Sequence, residues 1–298
     1  MYRVFTISLI IPTLGKTDKL LLLLESLEKQ IFKNFDLLII DQSDNYGVKE
    51  LAMMWRAKLN IKYIHSNKKG LSYNRNLGLA QAKGGIIGFP DDDCFYASDT
   101  LSNVNNFFKQ HTEFSILSGK QVDPKTRKTH QFVLRKSREI YLHDVFNAGN
   151  SITIFLKRPQ QQPQLLFDEK FGIGAPFGGA EETDYIFRLL ESHKKGYYSE
   201  DVIIYHKISG FDEMTDQKTF YYAMGTGAFF RKEFRYLRCF SLFFSLILFK
   251  GIIGTIMAGI TFNKIVLKYR LAKLRGYFFG FFKYRKSVED QENSRTIV

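Results

Sequence analysis

VFTISLIIPT, residues 4–13, is an almost unbroken apolar run closed by Pro12, the pattern of a strand buried on both faces. In KTDKLLLLLESLEKQI the residues Leu20, Leu24, Leu27 and Ile31 recur at helical spacing, which predicts one apolar stripe. NFDLLIIDQSD reads as a second strand stopping at Asp41. VKELAMMWRAKL reads as a helix, IKYIHS as a short third strand, GLSYNRNLGLAQAKG as a loop and helix ended by Gly84, and GIIGFP as a fourth strand. Strands alternating with helices imply a mostly parallel sheet with right-handed crossovers. Ligands of such sheets lie outside the carboxyl ends of the strands. Pro12, Thr13, Asp41 and the triplet Asp91, Asp92 and Asp93 all fall at those ends.

Beyond the triplet, SDTLSNVNNFFKQ predicts a capped helix and FSILSGKQVD another strand. Residues 121–176 are less periodic, and KRPQQQPQ within them is expected to be an exposed loop. Periodicity returns in FGGAEETDYIFRLLESHKKG, a glycine loop leading into a helix with Ile186, Leu189 and Leu190 on its apolar side. A strand, YYSEDVIIYHK, follows. No internal repeat is visible.

Charge divides this pattern in two. The 298 residues carry a net charge of +13, and the segment from Arg231 to Lys286 holds thirteen Lys and Arg against one acid, Glu233, so nearly all of the excess lies there. Inside it, residues 240–262 contain a single charge, Lys250. An apolar run flanked by basic and aromatic residues suits an anionic membrane face. An in-plane or re-entrant anchor, a transmembrane helix and a buried helical hairpin all remain open, although positive charge on both flanks counts against a simple span. Nucleic acid is not expected as a partner, because the apolar run would serve no purpose on a phosphate-binding surface. Cys94 and Cys239 fall in no metal-binding or redox spacing, and the N-terminal apolar run is too short for a span and lacks a cleavage site, so a cytosolic location is expected.

Two acidic clusters carry candidate chemistry. Carboxylates separated by one residue, as Asp91 and Asp93 are, can hold a magnesium or manganese ion whose other positions take diphosphate oxygens and water. The alternative is an acidic cap in front of the next helix. AEETD offers Glu181, Glu182 and Asp184 at a helix start, either as a general base or as an acid-rich first turn that stabilises the helix.

Taken in order, IPTLGKTDKLLLLLESL, LLIIDQSD, GLSYNRNLGLAQAKGGIIGFPDDDCFY, FGGAEETDYIFRLL and VIIYHK resemble the family 2 glycosyltransferases with the GT-A fold, over about residues 5–210. The resemblance implies an α/β catalytic domain over 1–210, with a nucleotide-sugar half (1–120) and an acceptor half (121–210); the basic and apolar pattern beyond it reads as a helical membrane-associating region (211–298). It implies inverting, metal-dependent transfer from a nucleotide diphosphate sugar, commonly UDP-linked, to a glycan hydroxyl. Asp41 matches the acid that hydrogen-bonds the base, in a loop lined by Pro12 and Thr13; Gln42 stands where the family has glycine. Arg75 matches an arginine that approaches the nucleotide or its diphosphate. Asp91 and Asp93 match the outer positions of the DxD pattern, with Asp93 on the metal, Asp91 on the ribose or a metal water, and Asp92 assisting. His206 matches a further metal or diphosphate ligand. Glu182 stands where the catalytic aspartate usually stands, with Glu181 and Asp184 as neighbouring candidates. Asn150, Gly178 and Gly179 are expected to face the donor sugar and acceptor. With the basic apolar tail, these features point to a lipid-linked glycan acceptor at the cytoplasmic face of the cell membrane, in cell-surface polysaccharide assembly. A non-catalytic scaffold of the same fold and a nucleotidyltransferase are the alternatives; the latter would want a richer glycine loop than Gly15 and Lys16 provide.

Overall fold

The structure, a computed structural model, describes residues 6–129, 134–159, 164–208, 214–234, 241, 245 and 251–285. The chain divides into two compact units, one of residues 1–167 and 185–208, the other of 168–184 and 209–298.

The first unit is built on a nine-stranded sheet. Strands β1 (Ile7–Thr13), β2 (Phe35–Asp41), β3 (Ile61–His65) and β4 (Ile86–Gly88) run parallel in the order β3-β2-β1-β4. Helices α1 (Thr17–Glu28), α2 (Gly47–Trp55) and α3 (Leu71–Gln81) make the crossovers. Burial on both faces explains the continuous apolar runs, because successive residues of a strand serve opposite sides. Leu9, Ile11, Leu37 and Ile39 join one core with Leu20, Leu24 and Leu27 of α1 and Val48 of α2. Ile10, Leu38 and Ile40 join the other with Leu79 of α3. Gly78 permits that second layer to close: a Cβ there would lie 2.3 Å from Ile10 Cγ2. The stripe expected on α1 loses its last member, since the helix ends at Glu28 and Ile31 is 69% exposed; Leu23 fills the face instead.

The remaining strands are β5 (Phe95–Tyr96), β6 (Phe114–Val122), β7 (Arg138–Ile140), β8 (Ile154–Lys157) and β9 (Lys195–Tyr205), with helix α4 (Thr100–Gln110) between β5 and β6. β8 enters antiparallel between β4 and β6, and β6 pairs with β9 in parallel, giving the order β4-β8-β6-β9-β5 with β7 on β9. The weakly periodic 121–176 region thus contributes two strands, β7 and β8, the second central to the sheet. Of the KRPQQQPQ stretch expected as an exposed loop, Lys157 ends β8, Arg158, Pro159 and Gln164 are partly buried, and 160–163 lie outside the described residues. Helix α5 (Glu181–Glu191) buries Ile186 and packs Leu189 and Leu190 against the second core, as its spacing predicts.

The second unit is organised by α6 (Asp216–Lys232), capped by the Thr215 hydroxyl accepting from Lys218 N–H, together with α7 (Gly254–Ile260) and α8 (Lys264–Lys283), capped by Asn263 accepting from Val266 N–H. α6 and α8 touch backbone to backbone. A Cβ on Gly227 would lie 2.0 Å from Tyr277 O, and one on Gly280 would lie 2.0 Å from Met224 O. The other side of α8 leaves Leu271, Phe278, Phe279 and Phe282 exposed, on a helix with six Lys and Arg and no acid. Among the described residues no helix is long and apolar enough to cross a membrane. Most of the 240–249 part of the apolar run lies outside the described residues.

Candidate active site

The carboxyl ends of β1, β2, β4 and β9 bring the predicted residues of the first unit together, and each aspartate of the triplet meets a different partner. Asp91 accepts from Arg75 Nη2 at 3.1 Å. Arg75, on α3, is fully buried; its Nη2 also donates to Ser151 Oγ at 2.7 Å, and its guanidinium lies 5.5 Å from the Phe167 ring centroid. A buried guanidinium is stable only when paired, so Arg75 and Asp91 hold each other in place. Asp92 is buried and accepts from Thr13 Oγ1 at 2.7 Å, with Lys16 Nζ 3.8 Å away. Burial pushes its carboxyl pKa up, against the hydroxyl and the lysine. Asp93 lies 3.1 Å from His206 Nε2 through one oxygen and 3.1 Å from Lys19 Nζ through the other. The histidine hydrogen bond, ahead of the opposing effect of burial, holds the Asp93 carboxyl well below the usual range. Burial acts to lower the His206 pKa, but the hydrogen bond and charge of Asp93 overcome it and the net shift is upward.

Asp41 is buried at the end of β2, level with Thr13 in the sheet register. It accepts from Ser43 N–H at 2.9 Å, Ser43 Oγ at 2.6 Å and Tyr63 Oη at 2.9 Å. Burial first, then the bond to Asp41, pushes Tyr63 up to about 12. A carboxylate has about four acceptor positions, so three bonds leave capacity for one more donor. The Gln42 departure has a structural use: its Oε1 accepts from Gly70 N–H at 2.9 Å, tying β2 to the start of α3.

The acids of AEETD separate by environment. Asp184 is fully buried and receives Lys232 Nζ at 2.7 Å, while the same ammonium reaches Asp168 at 2.8 Å. Glu181 is buried and Glu182 is partly exposed. The loop before them is conformationally unusual: Gly179 has φ +142°, and Ala180, a residue with a Cβ, has φ +64°. Such backbone costs of order 1–3 kcal/mol and persists where the surroundings impose it. Gly178 meets Tyr221 of α6, whose ring carbon would lie 2.1 Å from an added Cβ, so its missing side chain already serves internal packing.

Sequence reasoning passed over Lys19, Gln121, Ser151 and Lys232, and weighed Lys16 only as part of a phosphate loop. Lys16 and Lys19 had one available signal, their place directly after β1. The other three gain their roles only through contacts between distant segments.

Among the described residues no three His, Cys, Asp or Glu side chains converge. Asp93 and His206 do stand side by side. One carboxylate and one imidazole suit manganese or magnesium when diphosphate oxygens and water complete the shell.

A parallel-to-mixed sheet with acids, a buried arginine and a histidine at its strand ends has the GT-A architecture. Residues 8–168, more than half of the chain, match the Glycosyl transferase family 2 profile, and the chain belongs to that family. It is 31% identical over 120 residues to an uncharacterized glycosyltransferase of Rickettsia felis, covering 38% of this chain and 20% of that protein. It is 31% identical over 108 residues to the poly(ribitol-phosphate) beta-N-acetylglucosaminyltransferase TarS of Staphylococcus aureus, covering 35% of this chain and 19% of that one. These matches span about a fifth of the relatives' length. Among solved structures, S. aureus TarS 1–349 in complex with UDP-GlcNAc superposes with a TM-score of 0.60 at 20% identity, over 94% of this chain and 92% of that one. The mannosyltransferase PcManGT of Pyrobaculum calidifontis, in complex with GDP-Man and Mn2+, gives 0.64 at 15% identity, over 95% and 87%. Both likenesses speak for the fold.

Proposed function

We propose that this chain transfers a sugar, with inversion, from a nucleoside diphosphate sugar, UDP-linked, to a hydroxyl of a glycan acceptor. The observation that carries the reading is the Asp93 and His206 pair at the ends of β4 and β9, beside the buried Arg75 and Asp91, in a family 2 fold. S. aureus TarS has been solved with UDP-GlcNAc, which supports a UDP-linked donor. PcManGT has been solved with Mn2+, which supports a divalent ion held by Asp93 and His206.

In this reading Asp41, with Pro12 and Thr13, receives the base, and Asp91, braced by Arg75, faces the ribose or a metal-bound water. Arg75, fully buried, is read as the arginine on the diphosphate side. When bound, the ion supplies positive charge against the departing diphosphate. The acceptor oxygen forms its bond to the anomeric carbon as that carbon's bond to the diphosphate oxygen breaks, and the electron pair of the broken bond leaves with the diphosphate. The proton of the acceptor hydroxyl goes to Glu182. Among the three acids Glu182 is the partly exposed one, while Glu181 and Asp184 are buried. Asn150 and Gly179 remain assigned to the donor sugar and acceptor side.

Thermal unfolding in UDP with and without manganese tests the donor site, because a ligand that binds only the folded state raises the midpoint. Manganese-dependent stabilisation by UDP that disappears in Asp93→Ala is expected; no shift with any nucleotide favours the non-catalytic scaffold. Glu182→Gln is expected to lower turnover by about 10²–10⁴-fold while UDP still binds.

The acceptor is read as lipid-linked, at the cytoplasmic face of the membrane. The aromatic and aliphatic side chains exposed along α8, on a helix whose only charged residues are basic, support this. GalNAc(5)-diNAcBac-PP-undecaprenol beta-1,3-glucosyltransferase of Campylobacter jejuni, 30% identical over 101 residues covering 33% of each chain, is a relative whose name gives such an acceptor. Co-sedimentation with anionic but not zwitterionic vesicles, lost in a Phe278→Ser, Phe279→Ser, Phe282→Ser variant, is the expected outcome. Equal sedimentation of the variant would remove this face from consideration.

A further inference from the structure

The His206 ring is held from both sides, and the side away from Asp93 is occupied by an amide. Gln121 on β6 is buried and points its Nε2 to within 3.1 Å of His206 Nδ1 and 3.4 Å of the His206 carbonyl oxygen. Its Oε1 accepts from Asn150 Nδ2 at 2.6 Å. The register places Gln121 opposite Ile204, two residues before His206, so the sheet itself aims the amide at the ring. Asn150 Oδ1 is buried with no hydrogen-bond partner among the described residues.

Hydrogen-bond polarity along this row ties the place of a proton to the orientation of an amide. An amide N–H aimed at Nδ1 requires a lone pair there, so the neutral ring carries its proton on Nε2 and donates it to Asp93 Oδ1. In that tautomer Nε2 has no lone pair for a metal. Ligation through Nε2 needs the proton on Nδ1 and an acceptor facing it. Gln121 provides that acceptor by turning its amide through half a revolution, which leaves its heavy atoms in nearly the same places. Its amino group then faces Asn150, whose amide must turn as well so that Oδ1 accepts. One buried Asn150 atom without a partner is exchanged for another, so neither arrangement is strongly preferred on that account. The contact with the His206 carbonyl favours the amino-inward form in the absence of metal.

We propose that Gln121 and Asn150 form a positioning relay that sets the tautomer of His206, and so decides whether Nε2 serves as a hydrogen-bond donor to Asp93 or as a metal ligand. The ring's charge is unchanged between the two forms: one proton leaves Nε2, one arrives at Nδ1, and both amides reverse. The metal consequence rests on the proposed metal site; the tautomer assignment does not. Sequence alone places Gln121 in an ordinary strand and assigns Asn150 to the sugar side.

Two measurements on the full chain separate the parts. The first is the nitrogen-15 NMR signature of His206 in metal-free protein at alkaline pH, where the ring is neutral. The wild type is expected in the Nε2–H form and Gln121→Glu, which presents only acceptors, in the Nδ1–H form. The same tautomer in both proteins overturns the relay. The second is manganese affinity in the presence of UDP. Loss of a group that orients a metal-binding histidine typically costs about 10–100-fold, which is the drop expected for Gln121→Leu, with Gln121→Glu binding at least as tightly as the wild type. Wild-type affinity in Gln121→Leu overturns the relay's role toward metal. Should Gln121→Leu fail to fold, Asn150→Ala is the replacement, with a weaker manganese complex expected and an unchanged one counting against the relay. A wild type that binds no manganese with UDP refutes the metal reading itself, while the NMR comparison still decides the tautomer.

Discussion

The acids after β4 and the acids at the start of α5 look alike as sequence, DDD and EETD, yet each cluster is taken apart by its surroundings. In the first, Asp91 braces a buried arginine, Asp92 is sealed against Thr13, and Asp93 shares its two oxygens between His206 and Lys19. In the second, Asp184 is buried on Lys232 and Glu182 stays partly exposed. Their partners differ in kind. Around the triplet they include a histidine that can change its proton and lysines that are half exposed, a setting open to exchange. Asp184 and Asp168 instead share one ammonium that is itself nearly buried, a setting suited to permanence. Consecutive acids therefore do not act as one unit; burial and the mobility of the counter-charge sort each into a fixed or an exchangeable role.

Lys232→Met is the strongest way to break this contrast. It leaves Asp168 and Asp184 without their shared cation, and removing one partner of a buried pair costs about 3–5 kcal/mol. A large drop in the urea midpoint is expected; an unchanged midpoint would show that the second cluster is as exchangeable as the first. Thr13→Val keeps the shape but removes the donor to buried Asp92, which at about 1–3 kcal/mol should lower stability visibly. A neutral result would move Asp92 to the exchangeable group.

The pH dependence offers the finest test. Asp93 has a depressed pKa, so its contribution is present above the ordinary carboxylate range and lost as pH falls through its folded value. His206 has a raised pKa, so its contribution is complete below the ordinary imidazole value and lost as pH rises through its folded value. The pair therefore stabilises most between about pH 4 and 6.5 and fades above that window. Relative to His206→Asn, the wild type is expected to lose about 1 kcal/mol or less on going from the window to alkaline pH. Parallel profiles for the two proteins would mean that the pair carries no net linkage.

Residue periodicity specifies several of this protein's strands and helices. The apolar runs of β1 and β2 and the stripes of α1 and α5 are local properties of the chain, so spacing predicts their placement, and the strand-end positions of Thr13, Asp41 and the triplet follow. Ile31 shows the limit even there, because a stripe does not announce where its helix stops. The reversal of β8 between β4 and β6 has no local signature, since a short apolar stretch such as Ile154, Phe155 and Leu156 packs equally well in either direction. Partners escape the sequence for the same reason: Arg75 finds Ser151, Asp93 finds His206, and Lys232 finds Asp184 across separations of 76, 113 and 48 residues. The sequence by itself determined the family, the parallel half of the sheet and the list of acids. Only the tertiary structure decided which acid is fixed and which can be exchanged, because charge and proton position depend on burial and on neighbours that folding alone brings within hydrogen-bond reach.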